Sequence, residues 1–220
     1  MATSGRARQV LPWVALSMLT EGEGDALRVN ALSLVSSDAP KEPKVFVRED
    51  AIAHPRMRQA VLNATPPLWQ AYALLGGWVV EGRGFVLFDR FNVQLKGLEQ
   101  EFVRYQLPAL SFSAAPVLEI YRSVAAKARA RPTVERLIQE NIGMVLTRGR
   151  EGIGAMWLRG DVTGAIEALR QDVVGLVMLV DLGLKRGSVK LDGTPIPVDW
   201  DRRLRSAMRA TGAAGAGGAA

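Results

Sequence analysis

Val162, Ile166, Leu169, Val173, Leu176 and Val180 recur at spacings of 4, 3, 4, 3 and 4 residues, the strongest periodic signal in the chain. Spacings of this kind put all six side chains on one stripe of an α-helix. Val174, Val177, Met178 and Leu179 widen the stripe towards its far end, which predicts a helix buried nearly all round there. Asp161 stands where an N-cap is needed. A helix this apolar must be covered, so the rest of the chain has to pack around it as a core helix or leave it as a seam for self-association.

The segment leading into this helix, Ala155 to Val173 (AMWLRGDVTGAIEALRQDV), resembles the inner half of one tetratricopeptide unit. The resemblance implies a short helix, a Gly-Asp turn and a second helix. The neighbouring segments do not repeat it at the period of roughly 34 residues that a solenoid needs. Arg159-Gly160-Asp161 is therefore read as that turn and not as an adhesion motif. Thr133, a candidate N-cap, precedes a further stripe of Val134, Leu137, Ile138, Ile142 and Val145.

Strands are expected earlier. Val10–Leu19 and Ala26–Val35 are apolar runs around the acidic turn TEGEGD, which suggests a hairpin. In the second run Leu27, Val29 and Ala31 share one alternation and Leu32 and Leu34 the other, a slip expected of a bulge or of burial on both faces. A short strand follows at Lys44–Arg48. Pro55 and Pro67 are read as helix starts, with Gly76-Gly77 ending the second helix. Trp78–Val80 and Phe85–Phe88 around EGRG read as a second hairpin, and Leu95, Leu98, Phe102 and Tyr105 as a helix face. Pro116 reads as another helix start, with Val117, Ile120, Tyr121 and Val124 on one face. Asp192-Gly193 between Ser188–Leu191 and Thr194–Val198 is the clearest hairpin signal, with Pro195 and Pro197 confining its second arm to an edge. The fold class expected is α+β: a strand-rich N-terminal half with packed helices, and a mainly helical C-terminal half with one late β-hairpin. The expected organisation is an α+β region over 1–131, a helical region with hairpin and short basic helix over 132–211, and a flexible Gly/Ala tail over 212–220.

The chain has no cysteine and a single histidine, which removes disulfides, thiolate catalysis and Cys- or His-cluster metal sites. His54, before Pro55, reads as a loop or cap residue, since no serine-nucleophile motif accompanies it. Glu21, Glu23 and Asp25 lack the ordered ligand pattern of a calcium loop. Gly149-Arg-Glu-Gly152-Ile-Gly154 matches neither phosphate-loop pattern and reads as a helix connection. No catalytic residue, cofactor or metal is therefore assigned. No segment has the character of a signal peptide or a membrane span, and a cytoplasmic location, free or within a particle assembled there, is the expectation.

The net charge is +6, carried by 22 Arg and 6 Lys. It is uneven, with an excess of +5 in residues 41–131. Arg122, Lys127, Arg129, Arg131 and Arg136 form one cluster, and Arg202, Arg203, Arg205 and Arg209 a second in the last helix. Both are candidate contacts for nucleic acid or another anionic partner. Trp200, Leu204 and Met208 share a face of that last helix, either docked on the body or forming an assembly contact. The function expected first is a non-catalytic structural or assembly subunit of a larger particle, phage-like or plasmid-like, with protein subunits as partners in a self- or hetero-oligomer. Alternatives are a non-sequence-specific nucleic-acid-binding protein using the Arg clusters, and an enzyme with an unrecognised carboxylate or Arg site.

Overall fold

The computed structural model describes residues 12–89, 91–113, 115–128, 130–146 and 150–204. The chain is α+β, as its patterning predicts. In order it forms β1 (Trp13–Glu21), β2 (Arg28–Ser36), β3 (Lys44–Val47), α1 (Pro55–Ala64), α2 (Ala71–Val80), β4 (Gly84–Leu87) and α3 (Phe91–Arg104). There follow β5 (Val117–Glu119), α4 (Ile120–Ala125), α5 (Val134–Ile142), α6 (Arg150–Leu158), α7 (Val162–Arg186), β6 (Ser188–Leu191) and β7 (Thr194–Pro197).

Five strands make one mixed sheet in the order β3-β2-β1-β4-β5. The β1–β2 and β2–β3 pairs are antiparallel, whereas β1–β4 and β4–β5 are parallel. Leu19 faces Ala31 and Thr20 faces Val29, so Asn30 is the extra residue of a β-bulge on β2. The bulge turns Val29 to the same side as Leu32 and Leu34, and Ala31 to the other. The expected slip is real but lies one position earlier than the apolar pattern alone places it. β2 is also buried on both faces.

Helices cover both sides of the sheet. Val14, Leu16, Phe85 and Leu87 pack against Leu75 and Trp78 of α2 and Leu98 and Phe102 of α3. Trp13, Ala15, Val35 and Val86 pack on the opposite side against Val173, Leu176 and Val180 of α7. The first half of α7 instead meets Ala31, Val45 and Val47, with α6 alongside. The central apolar helix is thus the element that crosses the sheet diagonally, and residues before and after position 131 share one core. Its Asp161 cap accepts from Gly164 N at 3.1 Å, and Thr133 caps α5 by accepting from Arg136 N at 3.3 Å.

Several local expectations are corrected. Gly76 and Gly77 do not stop a helix but lie inside α2, and Trp78–Val80 are helical where an extended arm was expected. β4 does not form a hairpin with them, because pairing between β1 and β5 buries all four of its residues. The helix expected from Pro67 begins as a single tight turn at Leu68–Gln70. Val117 belongs to β5, and helix α4 starts only at Ile120. Gly152 and Gly154 fall within α6. In α2 and α6 the packing of the helix overrides the breaking tendency of glycine, which costs only about 1 kcal/mol per residue in a helix. The Asp192-Gly193 turn forms as read, with φ of 54° and 71° at its two residues. Residues 212–220 lie outside the described residues.

Candidate nucleic-acid interface

The segments that carry the two basic clusters, some seventy positions apart in the chain, are joined at one place. Trp200 is almost fully buried, and its Nε1 donates to Ser123 Oγ at 2.8 Å, while that hydroxyl donates to Ile120 O at 2.8 Å. The bond ties the start of the last helix to α4. Trp200 also lies flat against Gly183 of α7, where there is no room for a Cβ. Leu204 is buried too, and packs over Gly84 at the start of β4. Trp200 and Leu204 are therefore docked on the body of the chain, and their side chains face inward. Met208, Arg205 and Arg209 lie outside the described residues.

Around this anchor the cations divide by what they touch. Arg122, next to Ser123, is exposed, as is Arg131, and neither makes an ion pair among the described residues. Lys127 is exposed and donates only to a carbonyl, Pro197 O, at 3.0 Å. Arg136 is different: it pairs with Glu140 at 3.3 Å and with Asp192 in the hairpin turn. Arg202 and Arg203 both pair with Asp199, at 2.7 and 3.1 Å, and hold its carboxyl below the usual range against the opposing effect of burial. Arg129 lies outside the described residues. Among the described residues the structure thus leaves Arg122, Lys127 and Arg131 as charges not offset by a carboxylate, and pairs Arg136 with groups of the fold.

The hairpin beside them is held rigidly by α5. Asn141 Nδ2 donates to Lys190 O at 2.8 Å and its Oδ1 accepts from Lys190 N at 2.7 Å. Glu140 accepts from the backbone N–H groups of Asp192 and Gly193 at 3.1 and 3.3 Å. Between the hairpin and Lys127, Ala128 and Ala130 lies a cavity of about 420 Å³.

Sequence reasoning missed the two most buried acids. Glu101 of α3 is fully buried and accepts from Arg28 Nε at 2.5 Å, Arg104 Nη1 at 2.8 Å and Val29 N at 3.3 Å, with Arg48 Nη1 3.7 Å away. Arg48, itself buried, also reaches Glu21 at 2.7 Å and Asp50 at 3.2 Å. A hydrogen bond from Asn30 lowers the Glu21 carboxyl, with burial opposing it and Arg48 assisting. Tyr105, at the edge of the same network, is pushed up to about 12, chiefly by burial. Acidic and basic groups balance here, and the cluster clamps α3 onto the β1–β2 end of the sheet. The second buried acid is Asp172 on α7, which accepts from Ser17 Oγ of β1 at 3.3 Å. β1 leads to β2 on one side and β4 leads to β5 on the other, so Ser17 lies close to where the sheet's connections part, a position where open sheets place ligands. The same signal was available for both, a carboxylate one helical turn from apolar face positions on either side: Asp172 between Leu169 and Leu176, and Glu101 between Leu98 and Tyr105. Among the described residues no three His, Asp or Glu side chains converge in a way that would hold a metal ion.

No protein-family model matches the chain, and no curated protein matches it. A solved structure, that of the family B DNA polymerase from the hyperthermophilic archaeon Pyrobaculum calidifontis, is similar in fold, with a TM-score of 0.57 and 12% identity. The similarity covers 79% of this chain and 24% of that chain, so it concerns about a quarter of the polymerase. Among the described residues no helix is long and apolar enough to cross a membrane.

Proposed function

We propose that this chain is a nucleic-acid-binding protein that engages the phosphate backbone without reading base sequence, as a non-catalytic part of a DNA-handling or packaging assembly. The observation that carries this reading is that Arg122, Lys127 and Arg131 are exposed and, among the described residues, have no carboxylate partner, beside the Ser123–Trp200 bond that joins the segments of the two basic clusters. Exposed cations attract phosphates and release the phosphates' counterions on contact. The fold likeness to part of a DNA polymerase supports the same class of partner. The test is oligonucleotide affinity across a salt series. Binding is expected to weaken linearly in log–log form, and the triple variant Arg122→Glu/Lys127→Glu/Arg131→Glu to flatten that slope by roughly 2–3. Salt-independent binding, or an unchanged slope in the variant, refutes the reading.

An assembly role has its own support in a separate feature. A largely apolar groove of about 1040 Å³ runs between Pro12, Pro40 and Pro43 on one side and Val174, Val177 and Met178 of α7 on the other. Met178 is 47% exposed at its floor, so part of the central apolar stripe is left uncovered among the described residues. The native mass of the purified chain tests whether a subunit interface is built there.

A further inference from the structure

The cavity beside the basic residues has the dimensions and the chemistry of a site for one nucleotide. Its volume, about 420 Å³, lies in the range of small-molecule pockets and is far too large for a single ion or water. Ala128, Ala130, Leu191 and Ile196 give it an apolar lining, while Lys127 and Thr194 stand at its polar edge. Its walls are pre-formed. One is the β6–β7 hairpin, clamped by the paired hydrogen bonds of Asn141 and by Glu140 on the turn. Lys127, Ala128 and Ala130 line the other, with Lys127 Nζ bonded to Pro197 O of the hairpin.

That bond uses one of the three ammonium donors of Lys127, leaving two for a phosphate. Arg131 follows on the same segment, exposed. Asp192, the carboxylate in the lining, is neutralised by Arg136 and so does not set an unpaired negative charge against a phosphate. The combination is an apolar slot with a cation at its mouth and a hydroxyl able to donate or accept. A flat base with its own phosphate fits it, whereas a base stacked and paired in a duplex has no free face to offer.

We propose that this cavity takes one unstacked nucleotide of a single strand, with the base against Ala128, Ala130, Leu191 and Ile196 and the phosphate on Lys127. The assignment rests on the phosphate-binding reading above and deepens it: the chain prefers single-stranded nucleic acid. It is tested with the full chain by fluorescence anisotropy on three labelled probes of equal length: a thymidine strand, a strand of abasic sites and a duplex. The abasic strand keeps every phosphate and removes every base.

The thymidine strand is expected to bind roughly tenfold more tightly than the abasic strand, the effect of removing about 55 Å² of apolar base surface from water. Ala130→Phe fills the cavity and is expected to bring the thymidine strand down to the abasic level, leaving abasic affinity unchanged. Thr194→Trp obstructs the same mouth from an exposed hairpin position and decides the matter if Ala130→Phe loses its native circular dichroism. Equal affinity for thymidine and abasic strands, or a base preference that survives the filled cavity, overturns the nucleotide site while leaving the phosphate reading intact. Absence of salt-dependent binding to all three probes overturns both. Tighter binding of free thymidine monophosphate than of the strand identifies a free nucleotide as the ligand and overturns the single-strand assignment.

Discussion

Replacing Glu101 by Gln removes a charge from the most enclosed ionic site in the described chain while keeping the side chain's shape. Glu101 has no exposed side-chain surface, and the three guanidinium groups around it differ sharply: Arg48 is 6% exposed, Arg28 32% and Arg104 33%. Once the carboxylate is neutral, Arg28 and Arg104 recover water, so each of those pairs accounts for no more than about 1 kcal/mol. Arg48 cannot do so. It keeps Glu21 and Asp50, both largely exposed, but loses the only buried negative charge beside it. Breaking a buried pair from one side costs about 3–5 kcal/mol, and the surviving partners of Arg48 place this loss near the lower end. A domain of this kind has about 5–15 kcal/mol in total, so the loss is a substantial part of its stability. Urea unfolding followed by circular dichroism is the assay, and a midpoint lowered by roughly 1–2 M is expected for a slope of about 2 kcal/mol/M. Arg104→Gln, read by the same assay, is expected to cost about 1 kcal/mol or less. If Glu101→Gln costs no more than Arg104→Gln, with the slope unchanged, the argument that Arg48 is left uncompensated is refuted.

Gly183→Ala is expected to destabilise the chain, because the new methyl group meets the ring of Trp200, which is almost fully buried and has little room to retreat. Overpacking of this sort costs about 1–3 kcal/mol, of which a gain of up to about 1 kcal/mol in helix propensity is returned; a raised melting temperature would contradict the docking of Trp200. Tyr105 gives an alkaline signature. Burial raises its phenol above the ordinary value of 10 to about 12, so the folded state holds the proton longer than the unfolded state. Its contribution is complete below pH 10 and is lost as pH rises towards 12. Urea midpoints measured across that window should fall less steeply in Tyr105→Phe than in the parent; equal slopes would show that this phenol titrates alike in both states.

Which parts of the fold could be read in advance follows from the range of the interactions involved. The α7 stripe, the Asp161 and Thr133 caps and the Asp192-Gly193 turn depend on residues within a few positions of one another, so patterning and local hydrogen bonding specify them. The α+β class follows from the same local periodicities. The basic clusters too were visible as charge along the chain.

Other features depended on partners far away in the sequence. Gly76-Gly77 reads locally as a stop, yet α2 continues through it because Leu75 and Trp78 are buried under the sheet. Phe85–Phe88 reads as one arm of a local hairpin, yet its strand pairs in parallel with β1, seventy positions earlier, and with β5. The helical spacing of Leu98 and Tyr105 sets Glu101 beside an apolar face, but its charge partners cannot be read locally, because they come largely from β2 and the strand-end loops. The same holds for the interface. The sequence by itself determined that the chain has a long apolar helix, a late hairpin and two basic segments. Only the tertiary structure decided that Trp200 and Leu204 turn inward, that Arg136 belongs to the hairpin, and that Arg122, Lys127 and Arg131 stand exposed, Lys127 at the edge of a cavity. Charge and periodicity are local properties of a chain, whereas which charges are neutralised is settled by distance in space.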